Sequence, residues 1–282
     1  MTWTLLFSFF ALGAIVGSFL NVVTLRYGAS TFRGRSRCLS CGKPLRWFEL
    51  LPIASFLIQG GRCRGCRSRF SIQYPLVECA TGLVFAAIAW KESSLIFSSP
   101  SLLTTNYLLL TFFLWSLLVA LSIYDFKHKI LPDGLMYGAL AAACLLFLLR
   151  FFVGAVPHPW LDGLGGLFFA APFALLWRLT RGRAMGLGDA KLVLLFPWAV
   201  GFARGLSALI IGFWIGAGLA VLLLLAKTAM RIVPGGMNGA LGRRLARLGL
   251  KTELPLGPFL VLGLFLVYLF GWDVTGLSLL LQ

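Results

Sequence analysis

Asp125 and Asp189 are the side chains with chemistry to offer. The 282 residues include only nine acids. Asp189 lies in Met185-Gly186-Leu187-Gly188-Asp189-Ala190-Lys191, behind two glycines at the mouth of an apolar run. Asp125 lies in Ser122-Ile123-Tyr124-Asp125-Phe126-Lys127-His128-Lys129, where another apolar run ends. An ionisable side chain at a membrane boundary is costly to keep, which marks both as functional candidates. Two carboxylates held a few ångströms apart resist joint ionisation, share a proton and titrate as a unit. One can then take a proton from water while the other donates to a substrate carbonyl, the chemistry by which aspartic proteases cut amides. Helix ends divide the roles: Asp189 falls in a first turn, where the macrodipole favours an anion, and Asp125 closes a helix, where it does not. Asp189 is therefore expected to carry the charge and Asp125 the proton. Gly186 and Gly188 are expected to let backbone approach closely and to leave room for an extended substrate segment.

The same pair of acids could instead relay protons in a proton-coupled transporter, which is the alternative function. Against that reading, both acids fall at one face, whereas carriers bind near the midplane. A purely structural reading, with the acids as helix caps, explains Asp133 and Glu253 but not Asp125.

A second constellation is Cys38-Leu39-Ser40-Cys41 and Cys63-Arg64-Gly65-Cys66, two CxxC pairs separated by 21 residues. Two such knuckles complete a tetrahedral four-thiolate zinc site. The alternative is two disulfides, which a reducing cytoplasm disfavours. Four thiolates close the metal's shell, so Cys38, Cys41, Cys63 and Cys66 read as ligands of a structural ion. Arg37, Arg62, Arg64, Arg67 and Arg69 stand beside them and offset the site's negative charge. Trp47, Phe48, Phe56 and Phe70 share this loop. Such a mixture can stack nucleic-acid bases, but the aromatics read better as seating the loop on the membrane surface or its neighbours, and no nucleic-acid partner is expected.

The elements that must position these groups are membrane helices. The chain is 59% apolar and only 12% charged, with mean hydropathy +0.91, whereas soluble domains carry about a quarter charged residues. Apolar stretches near the length a bilayer requires occupy Thr4–Leu25, Tyr74–Trp90, Tyr107–Tyr124, Leu135–Phe152, Gly163–Trp177, Leu192–Phe202, Leu206–Ala226 and Leu254–Phe270. The expected fold is thus an all-α polytopic membrane protein of about eight transmembrane helices, the sixth short, with a small zinc-stapled loop domain. Its divisions are 1–26, the first helix; 27–73, the four-cysteine loop; and 74–282, a seven-helix domain carrying both aspartates.

Net charge is +16, and its distribution is a topology signal. With loops assigned alternately, one side receives 22 of 25 Lys and Arg, and the other keeps only Lys91, Arg150 and Arg204. The positive-inside rule places the crowded side in the cytoplasm and both termini outside. Asp125 and Asp189 then reach the same inner rim. No basic region precedes the first apolar run, whose first cation, Arg26, follows it, so the run reads as a retained span rather than a signal peptide.

Smaller features follow. Gly13 and Gly17 are spaced for close helix packing, with Asn21 able to bond across the contact. Glu78 either complements its helix dipole or contacts the cysteine loop. Asp133 and Asp162 read as caps, Cys79 and Cys144 as packing, and Lys227–Lys251 as an irregular or surface-lying loop.

Taken together, the chain resembles the bacterial type IV prepilin peptidases, also called leader peptidase/N-methyltransferases. The resemblance rests on Gly17-Ser18-Phe19-Leu20-Asn21 with Arg26, the double CxxC loop, Tyr74-Pro75-Leu76-Val77-Glu78, Asp125 with Leu131-Pro132-Asp133, Gly186-Leu187-Gly188-Asp189-Ala190-Lys191, and Leu254-Pro255-Leu256-Gly257-Pro258-Phe259-Leu260. It implies a GxGD-type aspartyl protease of the bacterial inner membrane. Such enzymes cut the short basic leader from prepilins and type II secretion pseudopilins at the cytoplasmic face. Asp125 and Asp189 match that family's catalytic pair, and the four cysteines its metal ligands. It also implies methylation of the new N-terminus with S-adenosylmethionine, for which no Gly-rich nucleotide loop is evident.

Overall fold

The computed structural model describes residues 3–27, 34–98, 101–183, 185–232 and 255–280. All regular structure among them is helical apart from isolated bridges. The chain packs as two units, Met1–Tyr124 with Tyr137–Val153, and Asp125–Met136 with Gly154–Gln282.

The first unit contains α1 (Trp3–Arg26), α2 (Ala54–Ile58), α3 (Gln73–Lys91), α4 (Ser93–Ser98) and most of α5 (Leu102–His128) and α6 (Asp133–Phe152). Close packing of α1 on α3 follows from the small residues. A Cβ on Gly13 would lie 2.7 Å from the Phe85 Cβ, and one on Gly17 would lie 2.9 Å from the Glu78 Cα. Asn21 Nδ2 donates to the Tyr74 carbonyl across the same contact at 3.2 Å, as its position predicts. Leu114, Trp115, Leu118 and Leu121 of α5 are fully or nearly fully buried.

The second unit contains α7 (Pro159–Thr180), α8 (Leu187–Leu194), α9 (Phe196–Val200), α10 (Phe202–Ile232), α11 (Gly257–Phe270) and α12 (Leu277–Leu280). Helices α10 and α11 cross at glycines: a Cβ on Gly212 would lie 2.9 Å from the Leu260 Cα. Asp162, in the first turn of α7, is buried and accepts the Phe202 N–H at 2.7 Å. It therefore caps α10 rather than only its own helix.

Among the described residues, five helices are long and apolar enough to cross a membrane: α1, α5, α6, α7 and the Phe202–Ala229 part of α10. The other three expected stretches differ. Tyr74–Trp90 lies in α3, whose entry carries Gln73, Pro75 and Glu78. Leu192–Phe202 is not one helix: α8 ends at Leu194, α9 restarts through Pro197, and Gly201 at φ 90° turns the chain into α10. This break packs on α7, where Gly166 leaves room for the Leu194 carbonyl. The described part of Leu254–Phe270 is Pro255 and Leu256 followed by α11, which is only 14 residues long. Glu253, Leu254 and most of the Lys227–Lys251 loop lie outside the described residues.

Candidate active site and metal centre

Asp125 sits on the last turn of α5, which runs to His128, one turn beyond the apolar stretch. The Lys129 N–H closes this turn on the Asp125 carbonyl at 2.7 Å, and Lys129 takes the left-handed conformation (φ 57°) that ends the helix. Asp189 is in the first turn of α8, as the sequence predicts. The two aspartates, 64 residues apart, line one cleft of about 640 Å³ within the second unit. Its walls come from the segment after α5, the glycine segment before α8, and Pro255 and Leu256 ahead of α11.

Tertiary contacts assign each acid a distinct environment. Asp125 is buried, and its Oδ2 accepts the Gly257 N–H at 3.1 Å. Burial, and then the nearby charge of Asp125, push the Asp189 carboxyl up to about 7. This shift runs against the expectation that Asp189 carries the charge. Its own helix dipole favours an anion, but desolvation outweighs a term that is worth about a kcal/mol or less at an exposed helix end.

The glycines also differ from expectation. Gly188 does not open space for substrate; a Cβ there would lie 2.9 Å from the Leu131 Cβ, so its bareness seats α8 on the Leu131 side chain. At Gly186 a Cβ would meet only the Gly188 nitrogen, at 3.9 Å. Two further features were not assigned roles from sequence. Lys191 forms an ion pair with Asp133, joining α8 to the start of α6. Gly257 donates to Asp125, and the Pro255-Leu256-Gly257-Pro258 pattern was its available signal.

The four cysteines gather in the first unit, their sulfurs all within 4.8 Å of one another. Each pair is held by a matching turn. Gly42 N–H donates to the Cys38 carbonyl and Arg67 N–H to the Cys63 carbonyl, both at 2.9 Å. Both turns need a left-handed residue, Gly42 at φ 71° and Arg67 at φ 57°. The Ser68 hydroxyl, then the Cys41 and Ser40 amides, hold the Cys38 thiol down at about 6. Cys41 is pushed up to about 11: the Lys43 amide favours its anion, but the Cys66 thiol, desolvation and the Cys38 and Cys63 thiols together outweigh it. Thiols this close ionise together only beside a cation, so the cluster is compatible with a metal site.

The loop is tied to the helices through Glu78, which is buried and whose Oε2 accepts the Ile53 N–H at 2.7 Å. Of the two readings of Glu78, the contact to the cysteine loop is the one observed. Phe48 receives the Arg64 guanidinium 5.2 Å from its ring centroid, and Phe56 covers Gly61. These two aromatics thus serve the loop's own packing, while Trp47 is 77% exposed.

Comparison with known proteins agrees with this arrangement. A model of the bacterial peptidase A24 N-terminal domain matches residues 11–92, and one of the type IV leader peptidase family matches residues 111–221. A prepilin leader peptidase/N-methyltransferase of Myxococcus xanthus is 36% identical over 77% of this chain, an alignment spanning 62% of that relative's length. A type 4 prepilin-like proteins leader peptide-processing enzyme of Escherichia coli is 31% identical over 89% of this chain and 88% of its own. A prepilin leader peptidase/N-methyltransferase of Pseudomonas putida is 28% identical over 93% of this chain and 90% of its own. No solved structure matches. With both aspartates in one cleft and both family models in register with the two constellations, the chain belongs to the type IV leader peptidase family.

Proposed function

We propose that this protein is an aspartic endopeptidase that removes the basic leader from type IV prepilins and type II secretion pseudopilins, using Asp125 and Asp189. The observation that carries this reading is the shared cleft, in which Asp189 is driven to about 7 by burial and by Asp125. In this reading the Asp125 carboxylate takes a proton from water, the water oxygen attacks the scissile carbonyl, and the Asp189 acid protonates the carbonyl oxygen. The carboxylate and acid then exchange roles as the amine leaves.

The cysteine cluster is proposed to hold structural zinc. A tetrahedron with Zn–S bonds of ~2.3 Å has S···S edges of about 3.8 Å, and the Cys38 and Cys66 sulfurs stand 3.8 Å apart. Cys38, Cys41, Cys63 and Cys66 would complete its shell, and the ion would staple a loop with little core of its own. The relatives' names include an N-methyltransferase, and methylation of the new N-terminus, with S-adenosylmethionine as donor, is proposed as a second activity.

The same reading takes the chain as a multi-pass protein of the bacterial inner membrane with eight crossings, both termini periplasmic and the basic loops cytoplasmic. Residues 1–26, 27–73 and 74–282 would be first helix, metal loop and peptidase domain. A transporter using the same acids gains no support from a cleft formed at helix ends.

The test is cleavage of a prepilin in membranes by wild type, Asp125→Asn and Asp189→Asn. Each substitution removes a group that must change protonation during the reaction, so turnover is expected to fall at least about 10³-fold. Near-normal turnover by either variant would end the dyad reading.

A further inference from the structure

We propose that the backbone amide of Gly257 is a positioning group for Asp125, orienting its carboxylate and keeping Oδ2 occupied while the other oxygen faces water. This inference rests on the dyad reading of Asp125 and Asp189.

Three observations carry it. The amide donates to Oδ2 at 3.1 Å from a residue 132 positions away, across a buried contact. The glycine is also required sterically: a Cβ at 257 would lie 2.6 Å from Oδ2, so any side chain would displace either the carboxylate or the amide. Finally, the local chain leaves this amide free. Gly257 opens α11, where the first N–H groups have no intrahelical acceptor. The flanking Pro255 and Pro258 have no N–H, and the Phe259 amide is already turned to the Leu256 carbonyl at 3.1 Å. Gly257 thus offers a buried donor from a positive helix end, aimed at an acid that closes the negative end of another helix.

The consequence is chemical as well as geometric. A carboxylate with one oxygen held by an N–H is oriented, and its other oxygen is the better base toward water, which biases the direction of attack relative to Asp189. The amide acts through Asp125 and touches no substrate atom.

The direct test replaces residue 257 with glycolic acid, giving a backbone ester that keeps the chain, removes the N–H and weakens the Leu256 carbonyl as an acceptor for Phe259 and Leu260. In detergent or nanodiscs, kcat for prepilin cleavage should fall about 10- to 100-fold, the range for one hydrogen bond to a charged group, while KM changes less than about 3-fold. Gly257→Ala should lose more, through the added contact with Oδ2. Ester kcat within twofold of wild type, beside an inactive Asp125→Asn control, would overturn the role of Gly257 and leave the dyad standing. An active Asp125→Asn would instead remove the dyad reading itself. A measurement independent of turnover guards against misfolding of the ester. The Gly257 amide resonance, identified as the ¹⁵N-Gly signal missing from the ester variant, should shift upfield in proton frequency in Asp125→Ala and stay in place in Asp189→Ala. A resonance indifferent to Asp125→Ala would also refute the proposal.

Discussion

Asp189 makes its protonation state the property to measure at the residue scale. Its carboxyl is raised to about 7, against about 3.9 for an exposed aspartate. If the protonated form donates to the substrate carbonyl, activity should be retained below neutrality and fall as pH rises through about 7, where that proton is lost. Stability follows the same sign. Between roughly pH 4 and 7 the folded state binds a proton that the unfolded state has released, so the slope of unfolding free energy with pH is negative there and flattens above. Asp189→Asn should therefore stabilise the protein at pH 8, by up to a few kcal/mol, and change little at pH 4. Thermal unfolding of both proteins at the two pH values measures this, and an equal effect at each would contradict the raised carboxyl.

Loop turns and helix contacts show how elements were legible to different depths. The CxxC spacing predicted converging knuckles, and both turns form around the same hydrogen bond. One meets its left-handed position with Gly42, the other with Arg67. A non-glycine residue there costs roughly 1–2 kcal/mol, so Gly42→Arg should weaken metal retention, whereas Arg67→Gly should be neutral or stabilising by up to about 1 kcal/mol. Chelator titration with metal release as readout distinguishes them; equal release by both variants would contradict the turn geometry. Gly13 and Gly17 were likewise readable as contact residues, because spacing four on a helix defines a face without knowledge of the partner. The break between α8 and α9 was only half visible. Its shortness showed in composition, but the halt at Leu195 and the turn at Gly201 depend on α7, through Gly166 and Asp162.

For the whole molecule, two constellations fall in two separately packed units: the cysteines in one, the aspartate cleft in the other. If the cluster holds zinc and the chain has both proposed activities, removing the ion should unfold the loop and weaken methylation before it stops leader cleavage. Parallel assays of cleavage and methyl incorporation across a chelator series, with zinc analysis, would show this order; simultaneous loss of both would argue against it. Composition, runs of apolar residues and the ordered motifs were sufficient to read a helical, multi-pass protein, its four-thiol cluster and its pair of acids. Those properties reside in residue type and local spacing. What only the tertiary structure supplied was the environment of each acid in the cleft. From local helix ends, Asp189 should be the anion and Asp125 the acid. Folding brings the amide of Gly257 to Asp125 and buries Asp189 beside it. Desolvation and a donor from a distant helix are environmental terms that no local spacing encodes, and here they outweigh the dipoles of the acids' own helices.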